Sequence, residues 1–143
     1  MRSIISYRNA LRITLIIAGL LVVFHLSIIM GMLLFDFAPV AYLWGGRMET
    51  PSQLLQFEIV SLLVALLFFV LVLIKSGRIN LPALKGFAHV TMWLFFVLFL
   101  LNTVGNVIAK TTFEKSFALV TGLLAFLLLR IAIEKDSGKG TNL

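Results

Sequence analysis

The chain has 143 residues, 61% of them hydrophobic and only 13% charged, and its mean hydropathy of +1.10 excludes an ordinary soluble domain, which is nearer half apolar and a quarter charged. The net charge of +6 does not make it a nucleic-acid binder, because the Lys and Arg residues flank apolar runs and no basic domain stands apart from them. The absence of cysteine removes disulfides, thiol catalysis, thiolate metal sites, iron–sulfur clusters and quinone-linked thiol oxidoreduction, and the length leaves no room for a second globular domain.

The first apolar run, from Ile13 to Phe35, holds no formal charge and is long enough to span a bilayer. Arg2, Arg8 and Arg12 before it, and Ala38-Pro39-Val40-Ala41 after it, give it some likeness to a signal peptide. The run is too long for a signal core, which favours an uncleaved helix over 12–35. The segment 36–50 is partly apolar, with Phe37, Tyr42, Leu43 and Trp44, and has a hinge at Gly45-Gly46. It is expected to fold onto the mouth of the bundle, with Tyr42 and Trp44 in the interfacial aromatic belt and Tyr7 near the opposite one.

The second helix is predicted over 52–75. Thr50-Pro51-Ser52-Gln53 supplies an N-cap, a proline at the first helical position and a glutamine three residues after the cap. Lys75-Ser76-Gly77-Arg78 is a stop signal. The third helix is predicted over 84–109, after Asn80 and Pro82. The fourth, over 113–133, is charge-free only from Ser116 to Leu129, about 21 Å at helical rise. Snorkelling of Lys115 and Arg130 to the two interfaces would complete the span. The short turn at Lys110-Thr111-Thr112 makes the third and fourth helices antiparallel neighbours. The tail after Glu134 reads as disordered.

The fold expected is thus all-α, a four-helix transmembrane bundle forming one domain over 1–134. Nine basic residues, Arg2, Arg8, Arg12, Lys75, Arg78, Lys85, Arg130, Lys135 and Lys139, fall on one side of it. Only Arg47, Lys110 and Lys115 fall on the other. That asymmetry places both ends in the cytoplasm, with the lipid bilayer as the protein's first partner. The two halves of the chain show no repeat, so an inverted-repeat transporter architecture has no support.

Polar groups inside a bilayer are costly and call for a reason. Asn102, Asn106 and Lys110 recur every four residues and form one stripe on the third helix, with Gly105 beside them to permit close helix approach. Glu58 lies about 10 Å inward from Pro51, and Asn106 and Asn102 about 6 and 12 Å inward from Lys110. Glu58 is therefore expected level with the asparagines, with Lys110, or Arg47 from the loop, reaching it. Gln56, Ser61, Thr103 and Glu114 add hydrogen-bonding capacity nearby. Such a cluster serves either as a structural clamp between helices or as a ligand or ion site. His25, near the middle of the first helix, is expected inside the bundle, as a proton relay, a ligand or a hydrogen-bonded core residue.

His25 and His89 do not suggest a haem pair. Counting from the inner edge puts them about 18–20 and 5–8 Å deep, whereas axial ligands must face one another. Two separated histidines make no zinc site either, and no cofactor is implied. The thirteen Phe and Met30, Met32 and Met92 read as packing or lipid-facing residues. Gly19, Gly31 and Gly122 read as small residues at helix contacts.

Leu43-Trp44-Gly45-Gly46-Arg47 with Phe57-Glu58, and Leu101 to Asn106 continuing through Ala109-Lys110-Thr111-Thr112-Phe113-Glu114, resemble segments of a group of small uncharacterised bacterial four-helix membrane proteins. The resemblance covers nearly the whole chain, implies a place in a bacterial inner membrane and implies no activity. Small multidrug transporters differ, since they carry a glutamate in the first helix. Fluoride channels differ in their Gly-rich and Phe-box segments. Three functional readings follow. The first is a structural or accessory membrane protein, such as a subunit of a larger complex. The second is a small transporter or channel protomer, which requires a homo-oligomer because four short helices rarely enclose a pore. The third is a membrane enzyme using Glu58 on a lipid-like substrate, weakened by the lack of a second acid–base group level with it.

Overall fold

A computed structural model describes residues 4–134. Arg2, Lys135 and Lys139 of the charge comparison, and the tail expected to be disordered, lie outside the described residues. Within them the chain forms four long helices, α1 (Tyr7–Phe35), α2 (Pro51–Lys75), α3 (Lys85–Val107) and α4 (Thr112–Ala132), with short 3-10 turns at Trp44–Gly46 and Pro82–Leu84. All four are long enough and apolar enough to cross a membrane. The all-α four-helix expectation matches this architecture.

The helix ends follow local chemistry. Ser6 accepts the amide of Asn9 at 3.2 Å, so α1 starts at Tyr7 rather than near residue 12. Arg8 and Arg12 do not oppose a helix, and Ala10 and Leu11 are buried in the bundle. At 29 residues, α1 is about 43 Å long and overruns a hydrocarbon core of about 30 Å. Thr50 caps α2 by accepting the Gln53 amide at 3.2 Å. The Gln53 side chain accepts the amide of Glu49 at 2.9 Å, one residue earlier than a standard capping box. Thr111 caps α4 by accepting the Glu114 amide at 3.2 Å.

Antiparallel neighbours α3 and α4 pack most extensively, followed by α1 with α2 and α1 with α4, whereas α2 and α3 meet only sparsely. The principal core, with Ala18, Phe68, Val72, Met92, Leu124 and Leu128 among its members, fills the half of the bundle nearer the chain ends. There Phe68 on α2 packs against Phe95 and Phe99 on α3, with ring centroids 4.6 and 5.3 Å apart. A smaller cluster of Ile28, Leu43 and Leu54 pins the α1–α2 loop to both helices. Outward faces carry exposed Leu20, Leu33, Leu63, Leu94 and Leu119, the pattern of a chain whose solvent is lipid.

One expectation about a basic residue needs correction. Arg130 does not snorkel; it is 3% exposed, donates Nε to the Ile5 carbonyl at 3.2 Å and pairs through Nη1 with Glu134 at 2.7 Å. Its guanidinium also lies 5.9 Å from the Tyr7 ring centre. At the same end of the bundle, His89 on α3 has its Nδ1 3.0 Å from Nζ of the buried Lys75. Both contacts gather charge at the bundle end where apolar packing is densest, so these heads bond to protein rather than reach for water.

Candidate functional site: an intramembrane cleft between α2 and α3

Above Phe68 and Phe99 the two helices part, leaving a cleft of about 660 Å³. Its floor is apolar, formed by Phe68, Phe95 and Phe99, and its upper part is polar. Glu58, His25, Asn102, Asn106, Lys110 and Arg47 all line it. One cavity therefore gathers all six candidate residues, but the bonds among them differ from those expected from helix spacing.

Glu58 is 1% exposed. Its Oε2 lies 2.7 Å from Nδ1 of His25 on α1, and its Oε1 accepts the indole N–H of Trp44 at 2.9 Å. Neither Lys110 nor Arg47 is bonded to it, contrary to the sequence reading. The cause is packing: α2 lies against α1 on the carboxylate's side, while the cleft holds α3 away. Counted from Phe35, His25 is about 15 Å inward, close to the level of Glu58, about 10 Å inward from Pro51. A second acid–base group therefore does lie level with Glu58, contrary to the sequence reading. His25 is half-buried, at 17% exposure, and sits edge-on to Phe24. With Nδ1 committed to Glu58, Nε2 is the ring nitrogen left for other chemistry. An imidazole nitrogen and a carboxylate oxygen at this separation are hydrogen-bonded, and that bond offsets much of the cost of burying the carboxylate.

The loop residue that reaches Glu58 comes from a left-handed turn. Trp44, Gly45 and Gly46 have φ of 57, 72 and 63°, which suits glycine and strains tryptophan. A Cβ on Gly46 would also sit 3.2 Å from the Ala41 carbonyl oxygen. The turn aims the Trp44 ring onto Phe57, with centroids 5.2 Å apart, and Trp44 lines the cleft. Gly45 then donates its amide to Oε1 of Glu114. The second oxygen of Glu114 accepts the Thr111 hydroxyl at 2.9 Å. Two buried carboxylates from α2 and α4 are thereby joined through adjacent loop residues.

Asn106 donates to Thr121 at 3.4 Å, and the Thr103 and Thr121 hydroxyls are 3.0 Å apart. These bonds fasten α3 to α4. Gly105 has nothing within 4 Å of an added Cβ; it faces the cleft and is not the helix contact it was read to be. Gly122 is the closer contact, its added Cβ falling 3.5 Å from Thr103. Asn102, Arg47 and Lys110 are exposed. Among the described residues, neither cation has an ion-pair partner. His25 and His89 bond to groups at different ends of the bundle, so they do not face one another.

Trp44, Thr121 and the role of Glu114 were not assigned from sequence. The Thr111-x-x-Glu114 spacing is a capping-box signature and could have identified the buried carboxylate; nothing in sequence directs the Trp44 ring inward. Comparison of the chain with protein-family models, curated proteins and solved structures gives no match.

Proposed function

We propose that this protein binds an amphipathic molecule from the lipid phase in the cleft between α2 and α3. The observation that supports this reading is the parting of two helices adjacent in sequence over an apolar floor and a polar mouth. A volume of about 660 Å³ falls within the range of ligand sites. Polar lining is costly where lipid is the solvent, and a polar head group among Asn102, Asn106 and the His25–Glu58 pair would offset that cost. The tail of the molecule would lie against Phe68, Phe95 and Phe99. The excess of basic residues beside the chain ends supports placing both termini in the cytoplasm of a bacterial cell and the cleft mouth on the outer side of its inner membrane. Reporter fusions at Arg2 and Leu143 test that orientation; an external signal from either would refute it.

Trp44 is one of two tryptophans, so Trp93→Phe leaves a single indole at the site. Titration of this variant in detergent with a bromine-labelled monoacylglycerol should give saturable quenching of Trp44. Gly105→Leu, which projects into the cleft, should abolish it. Quenching that rises linearly and is the same in both proteins would mean partition into the micelle only, and the polar group would then be a structural clamp.

A second reading draws on the His25–Glu58 bond. It supplies the second acid–base group, level with Glu58, that an enzyme acting on a bound lipid would need. Turnover of the amphiphile, lost in both His25→Gln and Glu58→Gln, would favour it over binding alone.

A further inference from the structure

The charges in the cleft are sorted in an unexpected way. Two carboxylates and two cations line one cavity, yet they are not paired with one another among the described residues. Glu58 and Glu114, 1% and 7% exposed, take a histidine, an indole, a backbone amide and a hydroxyl. Arg47 and Lys110, exposed at the mouth, have no counter-ion among the described residues. Had the cations served to neutralise the buried carboxylates, the loop that delivers Trp44 and Gly45 could have delivered Arg47 instead. The carboxylates are provided for deep inside, and positive charge is reserved for the entrance.

We infer that the cleft recognises the phosphate of an anionic lipid, with the phosphate oxygens between Arg47 and Lys110 and the apolar chain running down toward Phe99 and Phe68. The inference deepens the amphiphile-binding reading and rests on it. Arginine offers a planar donor fork and lysine a compact charge, and both suit phosphate oxygens at a bilayer interface. Asn102 lies about 8 Å below the end of α3 at Val107 by helical rise, at a depth fitted to the ester or hydroxyl groups that follow a lipid phosphate. Free phosphate offers the same head-group chemistry but nothing to fill the phenyl-lined floor, so the lipid is the source favoured here.

The test is native mass spectrometry of the full chain, released from detergent with equimolar phosphatidate, phosphatidylcholine and diacylglycerol of matched acyl chains. A parallel arm adds inorganic phosphate as competitor. Retention should favour phosphatidate, and Gly105→Leu should remove the adduct. Arg47→Gln and Lys110→Gln should each weaken it about tenfold, the size of one lost charge-assisted hydrogen bond. Both cations are exposed, so these variants should fold. Inorganic phosphate should not displace the lipid; displacement at comparable concentration would identify a free-anion site and overturn the lipid assignment. Equal retention of all three lipids, removed by Gly105→Leu, would leave an amphiphile cleft but refute phosphate recognition. Adducts that Gly105→Leu does not affect would refute the cleft as a binding site altogether.

Discussion

His25 and Glu58 meet at 2.7 Å although they belong to different helices, 33 residues apart in the chain. The bond joins α1 to α2 at a level where a bare carboxylate would be costly. Glu58→Ala should leave both His25 and Trp44 without their acceptor and lower stability by about 1–3 kcal/mol. Glu58→Gln keeps an acceptor oxygen and should lose less. Equilibrium unfolding in mixed detergent would measure both. A double-mutant cycle of His25→Gln and Glu58→Gln should show coupling; strict additivity would mean that the close approach contributes no interaction of its own.

Glu114 has a different task, holding the loop. One of its oxygens takes the Gly45 amide and the other the Thr111 hydroxyl. Glu114→Ala should therefore speed amide hydrogen exchange at residues 43–47 and at the first turn of α4 together. Trp44 spends about 1–3 kcal/mol on its left-handed backbone, so a loop deprived of one tether should open readily. Faster exchange confined to α4 would mean that Glu114 acts only as a helix cap.

Gly45→Ala and Gly46→Ala probe the same loop through its backbone. Both residues have positive φ, and Gly46 also has the Ala41 carbonyl close to any added Cβ. Each variant should be destabilised, by about 1 kcal/mol or more, with Gly46→Ala the worse. In the Trp93→Phe background, Trp44 emission should shift as the indole leaves Glu58. An unchanged spectrum in Gly46→Ala would show that the turn does not position the ring.

Much of this architecture was legible in the chain because bilayer physics writes long signals. Runs of twenty apolar residues, Thr50-Pro51 and Lys75-Ser76-Gly77 mark helices without any tertiary information. Co-location of Glu58, Asn102 and Asn106 was also accessible, since helical rise converts sequence number into depth; Lys110, counted in the same stripe, lies beyond the end of α3 at Val107. Azimuth was not accessible. Which side of α2 faces α1, and how far α3 stands from α2, depend on where Phe68 meets Phe95 and Phe99. Glu58 therefore turned toward His25 while Lys110 stayed across the cleft. Trp44 escaped notice because the left-handed turn that carries it inward is a property of Gly45 and Gly46, and the ring on its own is equally suited to an interface.

Gly105 allows a prediction of opposite sign. It lies within α3, where glycine is costly, and an added Cβ meets nothing within 4 Å. Gly105→Ala should stabilise the protein by about 0.5–1 kcal/mol through helix propensity. The small methyl should leave ligand uptake largely intact, unlike leucine. A destabilised Gly105→Ala, measured by thermal melting in detergent, would mean that this face of α3 is covered by something, such as a second copy of the chain.

Arg130 separates two views of how α4 meets the membrane boundary. A snorkelling arginine would lie along the helix with its head in water, and lysine would replace it without loss. Here the guanidinium is buried and forked, one nitrogen on the Ile5 carbonyl and another on Glu134, beside the Tyr7 ring. Lysine has a single ammonium and no planar fork, so it cannot reproduce both bonds with the same geometry. Arg130→Lys should cost about 1 kcal/mol, and Arg130→Leu more, because the Ile5 carbonyl then loses a donor as Glu134 loses its pair. The diagnostic readout is local. Because Ser6 begins α1 and Ile5 is tied to Arg130, loss of the clasp should raise amide exchange from residue 7 to residue 12. Exchange there equal to the parent in both variants would show that α1 holds its first turns without α4.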